Sequence, residues 1–293
     1  MVLVSLVLLR ITANPLSNLF QKKLVADAAH PLFVIFTTFG LLSLASIPAI
    51  KIVASANIPP EYFYYMILCA IFAVSSNALL VEALKYGDLS LLGPVNSYKP
   101  VVGLIFGIFL IGEIPNITGL LGVALILFGS YFLSDNIGGD ITSKNVLMLF
   151  KDKGVRLRMS ALVLSATEAV FLKKALQYST PFISVILWCF LGFVISATVT
   201  VVFTGNRFKK EIGILQKNKT LYFLLFISTG IMQYCTLLVF EELQVGYALA
   251  LFQVSALISV ILGYKYFNEK NIRKRFAGSI IMIIGAAAII LNG

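Results

Sequence analysis

The sequence predicts an all-α membrane protein with ten transmembrane helices, built as two inverted five-helix repeats. Composition, the length of the apolar runs and an internal repeat support this prediction. Of the 293 residues, 59% are hydrophobic and only 12% are charged, roughly half the charged share of a soluble domain. The apolar residues form blocks of about 20 residues, the length that a helix needs to cross a bilayer. The longest polar stretch, around residues 134–158, is too short to form a separate soluble domain.

Ten spans follow from these apolar runs and from the polar, glycine- or proline-rich turns between them. The first run contains Arg10, Asn14, Pro15 and Asn18 and no cleavage site of small residues, so it is interpreted as a span rather than a signal peptide. Helices are the only element that fits runs of this length, because their backbone groups are paired within the segment. The predicted spans lie near residues 2–22, 32–54, 61–84, 88–111, 116–134, 158–178, 181–204, 220–243, 246–267 and 272–291.

The distribution of lysine and arginine predicts the orientation of these spans. With ten spans, both termini lie on the same face of the membrane. The turns on the opposite face carry eighteen lysines and arginines, whereas the turns on the face with the termini carry three. Because cytoplasmic loops carry the excess of these residues, the basic face is predicted to be cytoplasmic and both termini outside. The same bias accounts for the net charge of +10 without a nucleic-acid partner.

A short sequence occurs twice, about 150 residues apart. FQKKL ends the first predicted span at 20–24, and FLKKA ends the sixth at 171–175. A proline opens the next span in each case, Pro31 in the first and Pro181 in the second. The parallel positions indicate that the sixth span begins a second copy of the first unit.

A longer repeat supports the same division. Residues 103–129 align with residues 259–285 at a constant offset of 156. Two units are therefore predicted, over residues 1–138 and 139–293. Since five is an odd number of spans, the second unit crosses the membrane in the opposite sense, which is typical of transporters. The matched pairs are Gly107 and Gly263, Glu113 and Glu269, Gly122 and Gly278, and Gly129 and Gly285.

These repeats resemble the drug/metabolite transporter superfamily, in its ten-helix group with two EamA-type repeats. The tract YGDLSLLGPV at 86–95 fits that group, and the second copy of its glycine pattern departs from it at Asn268, where a glycine is usual. The resemblance covers essentially the whole chain. It implies a secondary transporter of small organic solutes, often an exporter, with a substrate cavity between the two halves. The pattern residues are Gly112, Glu113, Gly119, Gly122 and Gly129, with Glu269, Gly278 and Gly285 in the second copy.

Three ionisable residues lie near the middle of predicted spans: Arg10, Lys99 and Glu168. Each costs about 2.5 to 3.5 kcal/mol if it faces lipid at the centre of a span, so they are predicted to face the interior of the bundle. Arg10 is followed at intervals of four by Asn14 and Asn18, which places all three on one face of the first span. This polar stripe is interpreted as the wall of a solvated pathway. The alternative is hydrogen bonding that only holds the helices together.

The fourth span contains the second group of candidate binding residues. Pro94 and Pro100 each remove a backbone donor and leave a carbonyl free, and Asn96 and Lys99 lie between them. A kinked helix with free carbonyls and a lysine at membrane depth is a candidate binding segment. The alternative is a structural kink in which Lys99 is permanently paired with Glu168.

Four uncharged polar residues complete the predicted substrate site, Asn77 in span three, Gln233 in span eight, and Gln253 and Ser255 in span nine. Asn77 and Gln233 either line the cavity or bridge helices. Trp188 and the other aromatic residues are interpreted as packing and interface anchors. Glu113 and Glu269, at helix ends, are predicted to cap or tether turns. The cavity is predicted to be lined by spans one, three, four, six, eight and nine.

The predicted function is secondary transport, as an exporter working by alternating access, of a small polar metabolite such as an amino acid or another solute that bears a carboxylate or phosphate. The reason is that two buried cations face one carboxylate. Glu168 is the candidate for coupling transport to a proton gradient, since burial and neighbouring cations act on its pKa in opposite directions. Transport of neutral or cationic solutes, with the buried charges structural, and a non-transporting membrane scaffold or sensor remain alternatives. An enzyme acting on lipids is not expected, because the sequence shows no catalytic constellation at an interface. The sequence contains no GxxxxGK[ST] nucleotide-binding motif, so ATP-driven transport is not expected.

Cofactors are not expected. The chain has one histidine, His30, and its three cysteines lie far apart inside predicted spans, without the spacing of a metal or redox site. The expected partners are the small-molecule substrate and membrane lipids, with no nucleic acid. The chain is expected in the plasma membrane, the inner membrane of a bacterium, as a multi-pass monomer or homodimer.

Overall fold

Helices make up the secondary structure of the described residues, which in this computed structural model are 2–86, 98–132, 153–204, 208–255, 257–258, 261–262 and 272–292. Within these ranges there is no strand. A 3₁₀ turn over Ile47–Ala49 joins α2 to α3. The helices are α1 (Val2–Ala26), α2 (Pro31–Ser46), α3 (Ile50–Ser55), α4 (Pro60–Tyr86), α5 (Lys99–Ile111), α6 (Ile117–Phe132), α7 (Lys153–Leu176), α8 (Pro181–Thr204), α9 (Phe208–Lys217), α10 (Lys219–Glu242), α11 (Val245–Gln253) and α12 (Ile272–Asn292).

Five helices in the described part of the chain are long and apolar enough to cross a membrane, counting α2 and α3 as one. They are Val2–Ala26, Pro31–Ser55, Pro60–Tyr86, Pro181–Phe203 and Lys219–Glu242. Three further apolar helices are shorter, Lys99–Ile111, Ile117–Gly129 and Ile280–Leu291. With 24 residues, α7 has the length of a span, but six of its residues are charged. These helices fit an integral, multi-pass membrane protein.

Several predicted spans correspond closely to helices of the structure. Two of them, the fourth and the ninth, are matched by a described helix over only part of their length. The fourth predicted span, near 88–111, is described from Tyr98 onward, and α5 begins at Lys99. Of the ninth span, near 246–267, α11 covers Val245–Gln253. The short helix α9 was not predicted. Its Phe208 ring packs against Phe33 at 5.5 Å between ring centroids, which holds α9 against the start of α2.

The repeated prolines begin equivalent helices, as the repeat implies. Pro31 is the first residue of α2, and the side chain of His30 caps that helix by accepting a hydrogen bond from the backbone N–H of Leu32 at 3.3 Å. Pro181 is the first residue of α8, and Thr180 accepts from the N–H of Ile183 at 3.4 Å. Proline suits the first helical position, where its missing N–H would have no partner within the helix.

Most of the extensive helix contacts join the first half of the chain to the second. The strongest are α4 with α7, α6 with α12, α1 with α10, α2 with α8, and α5 with both α7 and α11. One large apolar core includes residues of nearly all of these helices. Within it, the buried hydroxyl of Tyr62 donates to Ser184 at 3.1 Å, which ties α4 to α8. The two halves are therefore packed as one bundle.

Two glutamates join the halves at helix ends. The Oε2 atom of Glu113, in the turn after α5, accepts a hydrogen bond from the backbone N–H of Val245 at 2.9 Å, at the start of α11. The Oε2 atom of Glu211, in α9, accepts from the backbone N–H of His30 at 3.0 Å, just before α2. The prediction that Glu113 tethers a turn is confirmed. Its counterpart Glu269 lies outside the described residues.

Candidate functional site

A cavity of about 140 Å³ lies inside the bundle, with walls from both halves of the chain. The first half supplies residues of α1, α2, α4 and α5, and the second half supplies residues of α7, α8, α10 and α11. Helices α2 and α8 were not among the predicted walls, and they contribute Thr38, Phe39 and Trp188. The cavity is smaller than the roughly 300–1,000 Å³ typical of sites for drug-sized ligands. Its size favours a small solute.

The structure brings most of the predicted site residues together around this cavity. Ser255 is not in the wall, but its hydroxyl accepts a hydrogen bond from the side-chain amide of Asn14 at 3.2 Å. Asn96 lies outside the described residues. The eight that line the cavity are Arg10, Asn14, Asn18, Asn77, Lys99, Glu168, Gln233 and Gln253.

Arg10 is held firmly in the wall by contacts with two other helices. Its Nε donates to the hydroxyl of Thr236 in α10 at 2.6 Å. Its guanidinium carbon lies 4.4 Å from the centre of the Phe252 ring in α11, within the range of a cation–π interaction. The side chain is only 9% exposed, and Nη1 is buried without a hydrogen-bond partner in the described part of the chain. One donor of a fixed cation is therefore unsatisfied.

The polar stripe of α1 combines a cavity wall with helix packing. Asn14 and Asn18 line the cavity. Ser17, which lies between them in sequence, is buried and hydrogen-bonds with Ser228 at 2.9 Å and with Thr229 at 3.0 Å, both in α10. Both interpretations of the stripe therefore apply, since its residues line the cavity while Arg10 and Asn14 also hydrogen-bond to Thr236 and Ser255 across the bundle.

Glu168 accepts a hydrogen bond from the indole of Trp188, a residue that was predicted to be a packing and interface anchor. Its Oε1 accepts from Trp188 Nε1 at 3.2 Å. Trp188 does pack, with its ring centroid 4.6 Å from that of Phe39, but it also lines the cavity. The packing predicted for Trp188 is present, and its buried indole N–H also has an acceptor in Glu168, a partner that the sequence did not indicate.

The basic residues near Glu168 interact with it electrostatically rather than by direct pairing. Lys99 and Arg10 line the same cavity as Glu168, and both carry the opposite charge to its carboxylate. In the described part of the chain, the Glu168 carboxylate forms no ion pair within 4.0 Å with either Lys99 or Arg10. Lys99, half-buried at the first turn of α5, is thus not locked in a direct ion pair with Glu168. Its ammonium group remains available to a ligand.

The uncharged residues differ in how fully they are satisfied. Asn77 donates to the carbonyl of Ala73, one turn earlier in its own helix, at 2.9 Å. Gln233 is buried, and its Nε2 has no hydrogen-bond partner in the ranges that the structure describes. Neither side-chain amide donates to another helix there, so both are better described as cavity wall than as bridges.

Arg158 is the most important cavity residue that was not predicted from the sequence. It was counted as a loop charge on the cytoplasmic face, but α7 begins at Lys153, and Arg158 lies in its second turn and lines the cavity. Its Nε is buried without a partner among the described residues. Helical spacing contained the signal, because Arg158, Ser165 and Glu168 are separated by seven and three residues and so share one face of α7.

The family follows from comparison of the whole chain with known proteins. The sequence profile of the EamA-like transporter family matches residues 4–135 and again residues 152–291. The chain belongs to the EamA-like transporter family. The predicted resemblance to two EamA-type repeats is confirmed, and this EamA-like chain is a member of a family of membrane transporters.

Similarity to a solved structure supports the fold of this EamA-like protein. The chain superposes on a solved structure described as "Crystal structure of protein" with a TM-score of 0.71. The superposition covers 98% of this chain and 97% of the other chain, and the sequence identity is 18%. At that identity the similarity shows the fold alone. No curated protein sequence matched the chain.

Proposed function

We propose that this EamA-like protein is a secondary transporter that exports a small metabolite bearing a carboxylate or phosphate across the plasma membrane. The observation that carries the proposal is the charge of the cavity wall. Arg10, Lys99 and Arg158 line it, and Glu168 is the one acid among the described residues that do so. A cavity with excess positive charge, enclosed by apolar helices, favours an anionic solute.

The physical reason is the cost of leaving these charges without counter-charges. A charged side chain inside the membrane is retained where it has a partner or a functional role. The side-chain hydrogen bond that Glu168 accepts comes from Trp188, not from a cation. An acid group of the substrate would supply acceptors for Arg10 and Lys99, and charge-assisted hydrogen bonds are about twice as strong as neutral ones.

The proposal includes ten spans in two inverted repeats. If the repeats are equivalent, exchanging each helix with its counterpart in the other repeat should leave the pattern of helix contacts unchanged. If α1 corresponds to α7 and α4 to α10, that exchange converts the contact between α1 and α10 into the contact between α7 and α4. The contacts of α2 with α8, α5 with α11 and α6 with α12 are converted into themselves. Each of these contacts is among the extensive ones in the bundle, as a two-fold relation requires.

Contacts between turns support the proposed assignment of the turns to two opposite faces of the membrane. Glu113 and Val245 belong to turns that are both predicted outside, and they are hydrogen-bonded. His30 and Glu211 belong to turns that are both predicted to be cytoplasmic, and they are hydrogen-bonded too. Alternating access would then occur by rocking of the halves, which breaks such contacts on one side of the cavity at a time.

Solute counterflow in proteoliposomes tests this proposal. Purified protein is reconstituted, and exchange of a labelled organic acid is compared with exchange of its neutral amide, for the wild type and for Lys99→Gln. Lys51→Gln is the matched control, because Lys51 is exposed in α3 and does not line the cavity. We expect the acid to exchange, the amide to be excluded, and only Lys99→Gln to abolish exchange.

The opposite result identifies the alternatives. If acid and amide exchange equally well and Lys99→Gln behaves as the wild type, the buried cations are structural and the substrate is neutral or cationic. If no solute exchanges with any member of the series, the non-transporting alternatives gain support.

A further inference from the structure

The cavity carries more positive charge than a single acidic group can neutralise. Three cations line it, Arg10 from the first half, Lys99 from the first half and Arg158 from the second half. Glu168 is the one carboxylate among the described lining residues. A substrate with one negative charge would leave a net positive charge enclosed by apolar helices, whereas a substrate with two would balance the wall.

Two buried donors show where the acceptors are missing. Nη1 of Arg10 and Nε of Arg158 are both buried, and neither has a hydrogen-bond partner in the part of the chain that the structure describes. Buried polar groups in folded proteins are almost always paired, so an unpaired donor on a cation indicates an absent ligand or water. The two arginines come from α1 and α7, so the unsatisfied donors belong to different halves.

Lys99 extends this positive region across the cavity. Its side chain lines the same cavity as those of Arg10 and Arg158. It also lies at the first turn of α5, which packs against both α7 and α11. The three cations therefore act on the same enclosed space.

We propose that the substrate carries two acidic groups, one held by Arg10 of the first half and one held by Arg158 of the second, with Lys99 contributing to both. This rests on the proposed transport function and narrows its substrate class to dicarboxylates. Since each acidic group binds a different half, a doubly charged substrate joins the halves, and a singly charged analogue engages only one of them.

Binding can be measured without transport, because Trp188 is the single tryptophan of the chain and lines the cavity. Succinate, glutarate and adipate are titrated into the purified full-length protein while Trp188 emission is recorded, and the same ligands are then compared in counterflow. The dicarboxylate that binds best is compared with its monoamide and its diamide, which keep the size and remove one or two charges.

The wild type should bind the dicarboxylate about ten- to a hundredfold more tightly than the monoamide, as expected for one charge-assisted hydrogen-bonding group. Arg158→Gln should reduce dicarboxylate affinity to that of the monoamide and leave monoamide affinity unchanged. Arg158→Lys should retain most of the preference, because the charge remains. Arg156→Gln, at an exposed arginine of the same helix that does not line the cavity, should behave as the wild type.

Three results would overturn the inference. The dicarboxylate and the monoamide could bind equally well, Arg158→Gln could weaken both to the same extent, or no dicarboxylate could bind at any length by either readout. If an acid is still preferred over its diamide in the first two cases, the transport proposal survives while the two-group inference fails. If the diamide binds as well as the acids, the proposed anion selectivity fails as well.

Discussion

Gly122 in α6 faces the backbone carbonyl oxygen of Gly285 in α12. A methyl carbon placed on Gly122 would lie 2.8 Å from that oxygen, and one placed on Gly285 would lie 2.6 Å from the carbonyl oxygen of Gly122. Gly129 meets Gly278 in the same way, with a methyl carbon at Gly129 only 2.6 Å from the Gly278 oxygen. Because residue 122 corresponds to 278 and residue 129 to 285, each contact is the repeat image of the other. The two helices cross antiparallel through paired glycines.

Substitution of these glycines should destabilise the protein through overpacking. Gly122→Val requires backbone atoms of α12 to move, because the nearest obstacles include the Gly285 carbonyl rather than only flexible side chains. We expect a loss of about 1–3 kcal/mol in the free energy of unfolding. The measurement is the midpoint of thermal unfolding in one detergent, followed by circular dichroism.

The control for this substitution is a glycine with open space around it. A methyl carbon placed on Gly213 in α9 would have no heavy atom of another residue within 4 Å, so Gly213→Ala should be neutral or slightly stabilising through its better helix propensity. Equal midpoints for Gly122→Val and the wild type would show that α6 and α12 do not approach this closely.

A lysine from the repeated FLKKA sequence should be structurally important. Lys173 Nζ donates to the backbone carbonyls of Phe240 and Leu243 near the end of α10, the latter at 3.2 Å. Lys173→Met should lower the unfolding free energy by about 1–3 kcal/mol, because two helix-end carbonyls lose a charged donor. Lys174→Met is the matched control, since the neighbouring lysine is equally half-buried. If both variants unfold at the same temperature, Lys173 does not cap α10.

Sequence patterns could identify the apolar helices and the two EamA-like repeats, because both depend on residue types that the membrane restricts strongly. The mid-span charges Arg10, Lys99 and Glu168 were also recognisable, since an ionisable residue inside an apolar run has few structural explanations. The structure places all three around one cavity. For α1, helical periodicity was enough to predict that Asn14 and Asn18 line the same wall, because they lie on one face of the helix.

Partners across the bundle could not be predicted, because spacing along one helix does not determine which helix faces it. The hydrogen bond from Trp188 to Glu168 joins α8 to α7, and the bond from Arg10 to Thr236 joins α1 to α10. Arg158 was assigned to a loop because α7 was expected to begin near residue 158, whereas it begins at Lys153. Charges at the edge of a span are thus the hardest to assign from sequence.

The tether at Glu113 should make stability depend on pH. Burial in the turn after α5 raises the pKa of this carboxyl above its ordinary value of 4.5, although the N–H of Val245 partly offsets the effect. A carboxyl with a raised folded-state pKa contributes stability that is present below pH 4.5 and is lost as the pH rises through the raised pKa. Glu113→Gln keeps an oxygen acceptor for Val245 but does not titrate.

Unfolding midpoints between pH 4.5 and pH 7 measure this contribution of Glu113. We expect the midpoint of the wild type to fall more across that interval than the midpoint of Glu113→Gln. Glu61→Gln, at an exposed acid in the first turn of α4, should keep the slope of the wild type. Identical slopes for the wild type and Glu113→Gln would exclude a role for this carboxyl.

Glu168 is the remaining test, because it separates ion coupling from substrate binding. If Glu168 carries the coupling proton, an imposed pH gradient should drive solute accumulation in wild-type proteoliposomes. In Glu168→Gln the gradient should no longer drive accumulation, while counterflow exchange of the same solute persists, because the amide keeps an oxygen that accepts from Trp188 but cannot lose a proton. Glu61→Gln serves as the control for reconstitution and should accumulate solute normally. Gradient-driven accumulation that is unchanged in Glu168→Gln would show that Glu168 is not the coupling group, and its bond to Trp188 would then serve to position the indole in the cavity wall.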